Sequence, residues 1–287
     1  MEVAESQGEF APVEQVDGAL DAGVVVICDH ASNRLPVEYG DLGLNRQSLD
    51  RHIAYDIGAA WLTRRLAHLL GAPAILSTFS RLLIDPNRGA DDPTLVMRLS
   101  DGAIVPANAR VGAVEIERRR LRYWAPYRNA VAQTVDAMSA TGRPPAVVAI
   151  HSFTPIWRAA ARPWKVGVLW DLDPRLAAPL LKALAAESDL SPAHEMVGDN
   201  EPYDGALEGD TIDDIATARG LANALIEVRQ DLIATQPEAE AWAERLARLL
   251  APILARPELC APADFGSRAS GRARRIPQPQ GSGRSSA

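Results

Sequence analysis

The sequence predicts a three-layer α/β/α domain built on a mostly parallel, mixed sheet. Short apolar runs rich in β-branched residues recur at 24–28, 74–79, 146–151, 165–170 and 222–229. Runs of that length, bounded by polar or Pro/Gly segments, are the signature of buried strands. Segments of helical period separate them, and strands alternating with helices imply a mainly parallel sheet covered by helices.

Residues 1–20 are polar and precede the first strand, so they form an N-terminal arm or edge segment. The run at 24–28 continues into Asp29-His30-Ala31-Ser32-Asn33, so a buried strand delivers a histidine into a loop. Open α/β sheets bind their ligands at such strand ends. A helix is predicted over 48–70, with Ser48 as its N-cap and Gly71-Ala72-Pro73 as its stop; Ile53, Ile57, Ala60, Trp61, Leu66 and Leu69 recur near helical spacing. The strand at 74–79 leads into Ser80-Arg81-Leu82-Leu83-Ile84-Asp85-Pro86-Asn87-Arg88, and residues 89–109 read as a long excursion of lid type. Helix 112–140 follows, supported by its Glu115/Arg119 pair. Strand 146–151 ends on His151-Ser152. After strand 165–170, Asp173 caps a helix that Pro174 opens and that runs to about residue 188. Residues 197–214 form a second loop of functional length. Strand 222–229 and an amphipathic helix over 237–250 close the domain, and the Gly, Ser, Pro and Arg content from 257 onward predicts a disordered tail. The division is thus an arm at 1–20, one catalytic domain at 21–256 and a tail at 257–287.

The totals exclude several functions. A chain of 287 residues with net charge −7 lacks the clustered cations of a nucleic-acid surface, and Arg118-Arg119-Arg120 sits in a helical pattern beside Glu115 and Glu117 as a solvated face. Two cysteines, Cys28 and Cys260, make no disulfide framework and suit a reducing cytoplasm. The acidic N-terminus is not a secretory signal, and no apolar stretch reaches the length of about 18 residues that spans a membrane. A cytoplasmic protein acting on a small molecule is expected; oligomeric state leaves no signal.

Two of only five histidines, His30 and His151, each end an apolar run. Either alone is most simply a loop residue; together they read as a pair that meets in space and holds a metal. A catalytic zinc site takes three protein ligands plus a water. Asp50, at the start of the helix after the first histidine's loop, is the third candidate, with His52 as rival or orienting partner. Asp50 and Asp56 also read as ordinary helix acids. Glu227 lies inside an apolar strand, where a carboxylate is costly unless paired or functional; beside a metal it is the candidate general base. Arg229, two residues on and on the same face, pairs with Glu227 or helps to bind the substrate. Arg81, Asn87 and Arg88 form a polar, basic loop whose planar guanidinium forks suit a substrate carboxylate, the plainer alternative being surface arginines with Asp85 as a local partner.

Asp29-His30-Ala31-Ser32-Asn33-Arg34-Leu35-Pro36, Asp50-Arg51-His52, the 80–88 segment, His151-Ser152 and Ile226-Glu227-Val228-Arg229-Gln230-Asp231-Leu232 together resemble the N-formylglutamate amidohydrolase family, over about residues 22–250. The resemblance implies a phosphorylase/hydrolase-like fold related to zinc carboxypeptidases and aspartoacylases, and metal-assisted amide hydrolysis. It implies His30 and His151 as ligands of one Zn²⁺ per chain, Glu227 as the base, and Asn87 with Arg88 as the grip on a carboxylate of a small anionic N-acyl amino acid. The wider carboxypeptidase-like pattern has an acid three residues after the first histidine, where this chain has Asn33, so the third ligand stays open between Asp50, His52 and Asn33. Relatives also tend to carry a histidine shortly before the Arg219-Gly220 turn, where this chain reads Thr211-Ile212-Asp213-Asp214-Ile215. The expected reaction is N-formylglutamate to formate and glutamate. The alternatives are another N-acyl amino acid or short peptide as substrate, or a carboxylate-binding protein without turnover.

Overall fold

The computed structural model describes residues 10–190 and 196–269. Seven strands form one sheet: β1 (Val13–Val16), β2 (Val24–Cys28), β3 (Ala74–Ser77), β4 (Ala146–Phe153), β5 (Val166–Leu169), β6 (Val197–Asp199) and β7 (Asn223–Arg229), in the order β1-β3-β2-β4-β7-β5-β6. β3, β2, β4 and β7 are mutually parallel, as are β5 and β6. β1 against β3 and β7 against β5 are antiparallel, which makes the sheet mixed.

Side chains alternate across this sheet, so each strand feeds two cores. Val24, Val26 and Cys28 belong to one core with α1 (Ala59–Leu70), α4 (Pro174–Ala185) and α6 (Gln236–Leu254) on one face. Val25, Ile27, Val147 and Ala149 meet α3 (Ala125–Ser139) and α5 (Thr211–Ile215) on the other. α3 continues α2 (Ala113–Arg119) through a π-helical turn at Arg120–Trp124. The two covered faces are the three layers that the strand and helix alternation predicts. α6 opens with a capping box between Thr235 and Glu238 and holds Pro252 inside it. A proline there costs about 3 kcal/mol; burial of Trp242, Leu246, Leu250 and Ile253, at about 1.5–3 kcal/mol each, outweighs it.

Two expectations change, and one alternative is decided. The helix predicted over 48–70 is instead one turn at Arg46–Leu49, capped by the Asn45 side chain, and then α1 from Ala59. Between them the chain crosses the strand ends, burying Ile53 and Ala54 against Leu42, Leu82 and Val105. The apolar spacing there thus serves a loop core. Gly58 ends the crossing at φ +81°, and a Cβ on it would lie 2.0 Å from the Ile233 carbonyl oxygen. Gly58→Ala is therefore expected to cost at least about 1–3 kcal/mol, read as a lower urea midpoint. At the N-terminus the edge-segment alternative holds for Val13–Val16, which is β1; residues 1–9 lie outside the described residues. At the C-terminus, residues 257–269 pack onto the domain: Leu259 is buried, and Arg268 pairs with Asp171 at 3.0 Å and Asp204 at 2.7 Å. Composition alone hid those two acids; residues 270–287 lie outside the described residues.

Candidate active site

Three neighbouring parallel strands point their carboxyl ends into one pocket. His30 follows β2, His151 lies near the end of β4, and Glu227 of β7 is the register partner of His151. All three side chains are buried, which requires each to be paired or neutral.

The fourth member is Asp56, delivered by the crossing before α1, whose backbone N–H donates to the His30 carbonyl at 2.9 Å. Its Oδ2 lies 3.3 Å from His30 Nδ1 and 2.8 Å from His151 Nδ1, and also accepts the Ser152 N–H at 3.3 Å. The two imidazoles stand edge to face, 4.8 Å between centroids. One ligand atom from each of His30, Asp56 and His151 falls within 4.8 Å of the others, so this trio could hold a metal ion.

Each ring is oriented from its far nitrogen. His30 Nε2 meets Asp85 Oδ1 at 2.7 Å, and His151 Nε2 meets Asp29 Oδ2 at 3.0 Å. Those acids are held in turn. The Thr211 hydroxyl donates to Asp29 at 2.6 Å; Arg81 donates to Asp85 through Nε at 3.1 Å and Nη2 at 2.7 Å, and the Asn87 N–H through 2.9 Å. Carboxylates behind both rings turn both Nδ1 atoms toward one point, the usual way protein metal sites fix their histidines. The donor set of two imidazole nitrogens and one carboxylate oxygen fits zinc.

Electrostatics follow from these contacts. Burial works against charge on Asp29, Asp56, Asp85 and His151. Even so, Arg81 and His30 hold Asp85 well below the usual carboxylate range, and His151 lowers Asp29. The charge of His30 and the hydrogen bond from His151 likewise lower Asp56, while hydrogen bonds to Asp29 and Asp56 raise His151 well above the usual imidazole range against its desolvation. Glu227 differs. Burial pushes it up to about 7, and its Oε2 has no hydrogen-bond partner. A carboxyl that can hold or release a proton near neutral pH thus faces the same pocket as the trio.

That pocket encloses about 480 Å³ and is also lined by His52, Arg81, Asn87, Arg88 and Asp210. Asn87 accepts the Thr211 N–H on its Oδ1, and Arg88 donates to the Asn87 carbonyl and the Thr94 hydroxyl; it makes no ion pair among the described residues, and its charge contributes to the lowering of Asp85. Two sequence candidates stand elsewhere. Asp50 ends the turn at 46–49 and spends its carboxylate on Arg46, at 3.0 Å, and on the Asn33 amide. Asp56 occupies the place assigned to Asp50, because the chain reaches the histidines at 56. Arg229 pairs with Asp231 at 2.8 Å and does not line the pocket. His52 lies 3.4 Å from Asp101 and against Trp157. Asp29 and Asp85 as orienting acids escaped the sequence reading, although Asp29 directly precedes His30; the signal for Asp56 was Gly58, two residues on, breaking the helix assumed there.

A mixed α/β/α sheet whose strand ends gather two histidines, a shared carboxylate and a separate neutral-range glutamate defines a hydrolase-type site. The chain belongs to the N-formylglutamate amidohydrolase family, whose model matches residues 22–234, and is thereby an amidohydrolase. Among solved structures it is similar to gene product Atu2144 from Agrobacterium tumefaciens, with 32% identity and TM-score 0.79 over 87% of this chain and 97% of that one. The N-formylglutamate amidohydrolase from Ralstonia eutropha JMP134 shares the fold at 21% identity, TM-score 0.60, over 85% of this chain and 99% of that one. A search among curated proteins finds no match.

Proposed function

We propose that this protein cleaves the amide of an N-acyl amino acid, an N-formyl group being the acyl group to test first, with one zinc ion per chain held by His30, Asp56 and His151. The observation that carries this is the convergence of both histidine Nδ1 atoms on Asp56 beside the unpaired Glu227 carboxyl. Zinc there would supply a Lewis acid for the acyl oxygen and lower the pKa of a water toward about 7. Glu227 takes the proton of the attacking water and returns it to the departing amine, a role its value near 7 suits at neutral pH. Arg88 and the Asn87 amide grip the substrate carboxylate. Arg81, clamped on Asp85 and 3.7 Å from Asp56, sets the charge of the cluster. The free thiols Cys28 and Cys260 support a reducing compartment, so we place the reaction in the cytoplasm.

The test is metal content together with formate release from N-formylglutamate and other N-formyl amino acids, before and after chelation. About one zinc per chain with chelator-sensitive amide cleavage is expected. Failure of the metal-reconstituted protein to cleave any N-formyl or N-acetyl amino acid would overturn the proposal.

Metal loading should weaken as pH falls, because the metal displaces a proton that Asp29 and Asp56 hold on His151. Chelator competition at about pH 8 and about pH 6 should give the lower apparent affinity at the acid value. In the metal-free chain the sign reverses: the raised His151 value stabilises the fold below about pH 6.5, and that contribution is lost as pH rises through the raised value.

A further inference from the structure

The pocket has two unlike sides. Arg81, Asn87 and Arg88 come from the segment after β3, flanking β2 and His30. Across His151 and Glu227, Leu169 of β5 and Leu225 of β7, which are register partners, line it together with Phe153, Trp157 and Tyr203. Phe153 is buried and Trp157 half-buried.

Arg162 braces this aromatic wall. Its guanidinium carbon lies 5.7 Å from the Phe153 centroid, 5.3 Å from Trp157 and 4.9 Å from Tyr203, and Nη1 donates to the Thr154 carbonyl and the Tyr203 hydroxyl. It is not itself among the residues lining the pocket.

The charged groups in the walls are already spoken for, with one exception. Arg81 is held by Asp85. Burial keeps His52 below its usual range in spite of Asp101, so it is neutral at neutral pH. Of the lining arginines only Arg88 makes no ion pair, although its charge helps to lower Asp85, and every N-acyl amino acid brings it one α-carboxylate. Arg162, behind the wall, also makes no ion pair but lies over the three rings and donates to Thr154 and Tyr203. A second carboxylate, as on glutamate, would meet Leu169, Leu225 and the rings of Phe153, Trp157 and Tyr203, with no cation free of an ion pair on that side among the described lining residues. Burying such a charge against apolar groups without a partner is costly.

Resting on the amidohydrolase reading above, we infer that the side-chain subsite formed by Phe153, Trp157, Tyr203, Leu169 and Leu225 takes an uncharged aromatic or large aliphatic group. The preferred substrates are then N-acyl derivatives of apolar amino acids, not of glutamate.

The test compares kcat/KM of the zinc-loaded protein for the N-formyl derivatives of Phe, Leu, Gln and Glu. Phe or Leu is expected to exceed Glu by at least about tenfold; a Glu value equal to or above both overturns the inference. Calorimetric binding of the same compounds to the Glu227→Gln variant reads the subsite independently of turnover. Apolar derivatives binding tighter than Glu there, with no cleavage by the parent protein, would support the subsite and sink the proposed reaction alone. Absence of binding by every derivative would sink both. Trp157→Ala should narrow the ratio of Phe to Ala derivatives. A selective loss of the Glu derivative in Arg162→Met would show that Arg162 reads a second carboxylate, and would also overturn the inference.

Discussion

Glu227→Gln is expected to lower kcat by about 10²–10⁴-fold while leaving the metal content unchanged. Glutamine keeps the volume and the position opposite His151, but it cannot accept the proton of an attacking water. The parent protein should gain activity as pH rises through about 7, where the buried carboxyl ionises, and the variant should lack that limb. The same shift bears on stability. An acid whose folded value is raised favours the fold below its ordinary value of about 4.3, and that contribution is lost as pH rises through about 7. The metal-free variant should thus be the more stable of the two at about pH 8, by thermal or urea melts. Full activity in the variant would remove Glu227 from the chemistry.

Strands announced themselves because a buried parallel strand needs apolar side chains on both faces, as in Val24–Cys28 with each residue at 1% exposure or less. A polar residue at the end of such a run is conspicuous, which is why His30, His151 and Glu227 could be picked from sequence alone. The residue that gathers them could not. Asp56 lies in a loop whose Ile53 and Ala54 serve a local core and so imitate helical spacing. Asp85 resembled a surface partner for Arg81; the pair does form, but it is buried and its second use is to aim His30. Periodicity reports which face is buried, not which buried acid meets which ring across separations of 26 to 122 residues. The pocket's aromatic side, drawn from Phe153, Trp157 and Tyr203 on separate loops and strands, is invisible for the same reason.

Asp56 and Asp50 give the second large effect, and they are best argued as a series. Asp56→Asn should abolish stoichiometric zinc and turnover together, because it removes the carboxylate that, among the described residues, both Nδ1 atoms face. Alanine is the poorer choice. Breaking a buried pair in this way costs about 3–5 kcal/mol, and loss of metal could then reflect unfolding; asparagine keeps the shape and an oxygen for the Ser152 N–H. Asp29→Asn and Asp85→Asn each leave the trio intact but loosen the aim of one ring, so zinc affinity should fall by about 10–100-fold, less than for Asp56. Asp50→Asn severs an exposed pair with Arg46, worth at most about 1 kcal/mol, and should change neither metal nor rate. Equilibrium dialysis against zinc at neutral pH ranks all four in one experiment. The order follows from geometry alone: direct contact with both rings, contact with one ring from behind, and no contact. If zinc instead followed Asp50 and ignored Asp56, the cluster at the strand ends would be an ion-pair network and the metal would bind near the 46–49 turn.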